Sequence, residues 1–254
     1  MVLLLVISLI LLTAGIGFLV LSKRFIDTEK EVRILFLVLP ILTVLAQYSG
    51  VLYSLIKGGS ATQYVLDNPN LLFPIFPCNV VMWSLLIVGI FFNKRETRAI
   101  QIFIDFCFFF GIFAGLIGLI ANVDFLQNPT ITNFNGTKSI VSHALMITNI
   151  VALALYKIVK IDLTPNYIHL VIGVLVMGLI GIINNAMCWI IKGEEYAIEI
   201  NSMYMLRPSY SKISWFKYQY VVPIALVLYF GVFTIIDLIA YKKGNRFYNR
   251  GFHW

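Results

Sequence analysis

The sequence predicts an all-α fold: a polytopic membrane protein, one domain over residues 1–254, folded as a single bundle of seven transmembrane helices with the N-terminus outside and the C-terminus in the cytoplasm. Three observations carry this. Seven apolar runs, at 1–22, 32–56, 71–92, 100–121, 139–156, 167–191 and 220–241, fill most of the 254 residues. About twenty apolar residues cross a bilayer as a helix. Hydrophobic residues make up 60% of the chain and charged ones only 12%, against roughly a quarter charged in soluble domains. Backbone groups in lipid must bond within their own segment or in a closed barrel, and the segments of about ten alternating residues that mark a barrel are missing.

The elements follow in order. The first run lacks a basic leader and a clean small-residue cleavage site, and Lys23 and Arg24 follow it; it is expected to stay as an N-out helix rather than to leave as a signal peptide. The second run holds Pro40 and the seventh Pro223, the candidates for a break inside a helix. The third is expected to start within 74–77, because proline suits the first helical position. That start puts Cys78 in the first turn, where the helix dipole favours an anion. The fifth carries His143 about one turn in. The sixth carries Asn184, Asn185 and Cys188 toward its far end.

The net charge of +7 is distributed as a topology signal and gives no reason to expect nucleic acid. Lys23, Arg24, Lys30, Arg33, Lys94, Arg95, Arg98, Lys157, Lys160, Lys242, Lys243, Arg246 and Arg250 fall on one side of the seven runs. Lys57, Lys138, Lys192, Arg207, Lys212 and Lys217 fall on the other. The richer side is cytoplasmic by the positive-inside rule. Its loops, 94–99 and 157–166, are too short for a catalytic domain, so any chemistry belongs to the bundle or the outer face. The two longer outer loops are 122–138, with the glycosylation pattern Asn135-Gly136-Thr137, and 192–219. The Ile-, Lys- and Asn-rich usage points to a bacterial source, where that pattern would be idle. Cys78, Cys107 and Cys188 have no paired spacing, and the His residues are too scattered for zinc; neither a disulfide framework nor a metal or other cofactor is expected.

Placing polar residues by depth gathers them near the outer surface. Gln47 and Tyr48 exit with the second helix, Cys78 opens the third, His143 opens the fifth, and Asn184 and Asn185 close the sixth, followed by Asn201, Tyr204 and Arg207. Polar groups in lipid are costly and usually have a partner or a function. Singly, each has a plainer reading: Cys78 as a small filler, His143, Asn184 and Asn185 as interhelical glue. Asp105 and Asp237 form a sparse inner layer, paired with Arg98 in one case and snorkelling or paired with Lys242 or Lys243 in the other. His169 and His253 read as interfacial, and Phe108, Phe109, Phe110 and Phe113 as lipid-facing or packed. The functional reading rests on convergence in depth.

Around Cys78 the chain resembles a family. Leu72-Phe73-Pro74-Ile75-Phe76-Pro77-Cys78 resembles the L-P-x-x-x-C helix start of the bacterial YwaF-like membrane proteins, whose eukaryotic relatives are the transmembrane-protein-164 type phospholipid acyltransferases. His143 is similar in place to that family's fifth-helix His, and Asn184 or Asn185 to its sixth-helix Asn. The block from Asn201 to Pro208 resembles its N-Y-M-[FY]-L-x-x-K-P block. The resemblance implies acyl transfer between phospholipids or lipid acceptors, with Cys78 as nucleophile and His143 as base. Asn184, Asn185, Asn201 and Tyr204 would then stabilise the oxyanion or orient the reacting groups. Arg207, Lys212 or Lys217 would hold the lipid phosphate, and Gln47 and Tyr48 would face the substrate. A hydrolase shares the same intermediate. Two other readings stay open: a small-solute transporter, which predicts a central cavity and helices broken near mid-depth, and a non-catalytic assembly or scaffold protein, which predicts Cys78 and His143 on different faces. Acyl chain, acceptor, oligomeric state and any partner membrane protein are not specified by the sequence.

Overall fold

The structure is a computed structural model that describes residues 2–120, 122, 125–126, 128–208 and 217–240. The described residues are all-helical, with α1 (Val2–Ser22), α2 (Glu29–Ile56), α3 (Ala61–Asp67), α4 (Pro77–Ile90), α5 (Arg98–Phe109), α6 (Gly111–Ile120), α7 (Phe134–Leu155), α8 (Leu163–Lys192), α9 (Glu194–Ile200) and α10 (Tyr218–Ala240). Six spans are long and apolar enough to cross a membrane: α1, α2, α5 with α6, α7, α8 and α10. The shorter α4 is the seventh apolar helix. The chain is a multi-pass membrane protein with an all-α fold. Lys212, His253 and the tail cations Lys242, Lys243, Arg246 and Arg250 lie outside the described residues. Two compact units divide the chain, Met1–Val159 and Lys160–Trp254.

In the first unit α7 is central and touches α1, α2, α4, α5 and α6. Small residues set these approaches, as expected where packing rather than hydrophobicity joins helices in lipid. On α6, Gly111, Gly115 and Gly118 form a bare stripe against α7. A methyl at Gly111 would sit 2.7 Å from Ile150 Cδ1, one at Gly115 2.6 Å from Ile147 Cγ1, and one at Gly118 would collide with the His143 ring. The register is antiparallel: as α6 rises, its partners on α7 fall from 150 to 143.

Pro40 does not interrupt α2. It cannot donate to the Phe36 carbonyl one turn back, and α4 covers that carbonyl: a methyl at Gly89 would run into Phe36 O. The bare Gly89 backbone thus packs on the acceptor that proline leaves open, in the manner of a Cα–H···O contact. Thr28 opens α2 with a full capping box: Glu31 N donates to Thr28 Oγ1 at 3.3 Å and Thr28 N to Glu31 Oε2 at 3.0 Å. Pro223 likewise lies inside a continuous α10. Among the described residues, the interruption of a span comes where no proline stands, between Phe109 and Gly111. It is shallow, since Phe110 N still donates to Phe106 O at 2.9 Å and Ala114 N to Phe110 O at 3.0 Å.

In the second unit the 192–219 segment contains more order than a loop: α9 packs back on α8. Asn201 (φ 49°), Met203 (φ 53°) and Tyr204 (φ 56°) then take left-handed conformations in succession. Buried amides hold this strained turn. Asn185 Oδ1 accepts from Ser202 N at 2.8 Å while its Nδ2 donates to Ser202 O at 3.1 Å. Met203 packs where Gly181 has no side chain. Asp237 is fully buried on α10, so it does not snorkel, and His169 is buried on α8. Asp105 is also buried, Phe106 stacks on Phe110, and Phe113 is exposed.

Candidate functional site

A half-open cavity of about 260 Å³ lies in the first unit, where the end of α2 meets the starts of α4 and α7. Pockets for small molecules run from about 300 to 1,000 Å³, so this one suits a small group or one segment of a larger ligand. Cys78 and His143 both line it. Gln47 joins them from α2, while Asn79, Lys138 and Ser142 add polar groups that sequence reasoning passed over.

The chain folds this way locally for identifiable reasons. Phe76 occupies the N-cap of α4 and Pro77 the first helical position, where its missing N–H is no loss. Phe76 has no side-chain acceptor, so the helix start is secured from the other side: Asn79 Oδ1 accepts from Phe76 N at 3.1 Å. Cys78 is thereby held in the first turn, half-buried, at the positive end of the helix dipole. The preceding segment is tied to α2 by the Tyr48 hydroxyl, which donates to Leu71 O, and the Tyr48 ring meets Trp83 of α4 edge-on at 6.5 Å. Tyr48 does not line the cavity; it fixes the segment that leads to Cys78.

His143 is oriented from two directions. Its Nδ1 lies 2.7 Å from Ser139 O. A carbonyl only accepts, so Nδ1 carries the proton and Nε2 of the neutral ring keeps its lone pair. The Nε2 edge lies over Gly118 of α6, in space that any side chain there would fill. The ring is therefore fixed in tautomer by its own helix and in position by a neighbour's missing methyl.

Around these two residues the wall is polar. Thr43 Oγ1 accepts from Asn149 Nδ2 at 2.9 Å, joining α2 to α7 below the cavity. Lys138 Nζ donates to Tyr64 Oη at 3.3 Å, and Tyr64 Oη donates to Asn135 Oδ1 at 3.4 Å. Asn135, conspicuous in sequence only as a glycosylation pattern, thus belongs to the cavity rim. Gly50 makes room for Tyr64, whose hydroxyl occupies the place of a Gly50 side chain.

The remaining sequence candidates sit in the second unit and are engaged there. Asn184 Nδ2 donates to Ser202 Oγ at 3.3 Å, beside the two bonds from Asn185 to Ser202. Asn201 Oδ1 accepts from Leu206 N at 2.9 Å and Arg207 N at 3.0 Å, and its Nδ2 donates to Arg207 O at 2.9 Å. Tyr204 is half-buried, and Arg207 is exposed, its guanidinium donating to Glu199 O at 3.1 Å. The amides build a turn, and Tyr204 and Arg207 are carried by it.

Cys107 is buried against Val81 O at 3.8 Å, and all three cysteines are free thiols. Among the described residues no group of three or more His, Cys, Asp or Glu side chains is arranged to hold a metal ion. Comparison of the chain with family models, curated proteins and solved structures returned no match.

Proposed function

We propose that this protein is a membrane acyltransferase that moves a fatty acyl chain between phospholipids or lipid acceptors through a Cys78 thioester, at the outer leaflet of the cell membrane. The observation that carries the reading is the shared cavity: a thiol at a helix start and an imidazole held through Nδ1 by Ser139 O both line it. A nucleophile in reach of a base that is itself oriented by a third group is the general plan of covalent acyl transfer. The resemblance of the Pro77-Cys78 helix start and of His143 to the YwaF-like proteins supports the same reading.

In the proposed cycle the Cys78 S–H gives its proton to His143 Nε2 and the sulfur attacks the acyl ester carbonyl. The tetrahedral intermediate collapses, the lysolipid oxygen leaves with the proton from His143, and the acyl group remains on Cys78. An acceptor hydroxyl or amine then gives its proton to His143, attacks the thioester and releases the thiol. Lys138 and Gln47 are placed to meet the phosphate headgroup, because they line the cavity with the reacting pair; an ammonium binds phosphate as a point charge. A water acceptor would make the same site a hydrolase.

The test is acyl exchange between labelled phospholipid and lysolipid in vesicles carrying the full chain. Cys78→Ala is expected to lose transfer entirely and to accumulate no hydroxylamine-labile acyl adduct. Transfer at the wild-type rate in that variant would end the proposal.

A further inference from the structure

We propose that the backbone N–H of Cys78 and the side-chain amide of Asn79 form the oxyanion hole of the Cys78 site, an inference that rests on the acyl-transfer reading above. Three features of the α4 start lead to it. Pro77 has no N–H, so Cys78 supplies the first backbone donor of the helix. The next one, Asn79 N, is already bonded to Phe76 O at 2.9 Å. Cys78 N has no backbone acceptor among the described residues.

Asn79 adds the second donor. Its side chain is 4% exposed, and its Oδ1 accepts from Phe76 N at 3.1 Å. Since an N–H must be met by the amide oxygen, the NH₂ group is turned away from that bond. No described residue accepts from it, and Asn79 lines the cavity beside Cys78 and His143. The open donor pair is available to an acceptor that enters the cavity. The Asn184, Asn185 and Asn201 amides, by contrast, are engaged in their own unit.

The chemistry supplies that acceptor. When the thiolate adds to the ester carbonyl, the C–S bond forms and the carbonyl π pair moves onto oxygen. The alkoxide then accepts from two donors that were in place beforehand, which is where such groups act most strongly. As the C–O bond to the lysolipid breaks, the pair returns to the carbonyl and the donors are released.

The discriminating variant is Asn79→Asp, which keeps an oxygen for Phe76 N and replaces the NH₂ donor by an acceptor. With the full chain in vesicles, kcat for acyl transfer is expected to fall by about 10²–10³-fold, with KM within about twofold. The thermal midpoint should be that of wild type, and Cys78 should still react with iodoacetamide. Asn79→Ser, whose short hydroxyl can meet Phe76 N but not replace the amide, is read by the same criteria should the Asp variant fail to fold. A folded variant that retains more than about a tenth of wild-type kcat overturns the assignment. So does a loss of Cys78 alkylation in parallel with turnover, which would place Asn79 on the nucleophile instead. Cys78→Ala is measured alongside: if that variant still transfers acyl groups, the acyl-transfer reading falls, whereas an inactive Cys78→Ala beside an active Asn79→Asp removes the oxyanion hole alone.

Discussion

The imidazole of His143 is held by a carbonyl on one side and by empty space on the other. The Ser139 carbonyl sets its tautomer, and Gly118 leaves the volume in which the Nε2 edge rests. Gly118→Ala is expected to force the ring out of this position. Overpacking of this kind destabilises by about 1–3 kcal/mol, and a displacement of about 1 Å at a reacting group lowers turnover by on the order of 10². Acyl transfer and thermal unfolding check both, with Gly17→Ala as the control, because a methyl at Gly17 meets nothing within 4 Å. A second residue-scale prediction concerns Asn185. Its amide satisfies both backbone groups of Ser202, which is 0% exposed. Asn185→Ala would remove the acceptor that Ser202 N meets and one of the donors to Ser202 O, at about 1–3 kcal/mol, seen as a lowered thermal midpoint in detergent. At this scale the sequence was partly legible. A cysteine after two prolines and a histidine in an apolar run were conspicuous, because polar groups in lipid stand out. Asn79, Lys138 and Gly118 were not, since an Asn, a Lys or a Gly near a helix end has many ordinary explanations. Only the fold brings Asn79 and Lys138 to one cavity and Gly118 against the His143 ring.

At the scale of elements, apolar run length predicted where helices lie and missed how they are joined. The spans at 2–22, 134–155 and 218–240 match the runs closely, because lipid leaves a backbone no other way to satisfy its hydrogen bonds. No break is expected from the sequence in the fourth span. Pro40 and Pro223 mark the weak points by composition, yet both stay inside continuous helices, and the span parts instead at Phe110. Proline removes one donor, and in α2 the neighbouring glycine backbone covers the acceptor left behind. The Phe110 interruption sits where Gly111 is wedged between Ile150 and Val81, a packing demand that periodicity does not record. The 192–219 segment was legible only as long. The left-handed turn after its helix α9 depends on the Asn184 and Asn185 amides of α8, which stand 18 and 17 residues before Ser202.

For the whole molecule, composition decided the solvent and hence the fold class. The all-α, multi-pass architecture follows from 60% hydrophobic and 12% charged residues arranged in runs, with little left for local detail to change. Orientation is carried by charge alone. With thirteen of the 19 basic residues on one side, the N-terminus is expected outside and the C-terminus in the cytoplasm. In intact cells, a protease-cleavable tag before Val2 should be cut from outside and one after Trp254 protected; the reverse pattern would put the cavity on the cytoplasmic face and move the proposed chemistry to the inner leaflet.

The Phe36 carbonyl and Gly89 have an effect at a distance. Helix α4 has 14 residues, a stiff rod of about 21 Å, shorter than the roughly 30 Å hydrocarbon layer. Its foot rests on the acceptor that Pro40 leaves open, and its head carries the thiol. The position of the thiol along the α4 axis is therefore governed from the opposite end of the helix, by the contact of Gly89 with the Phe36 carbonyl.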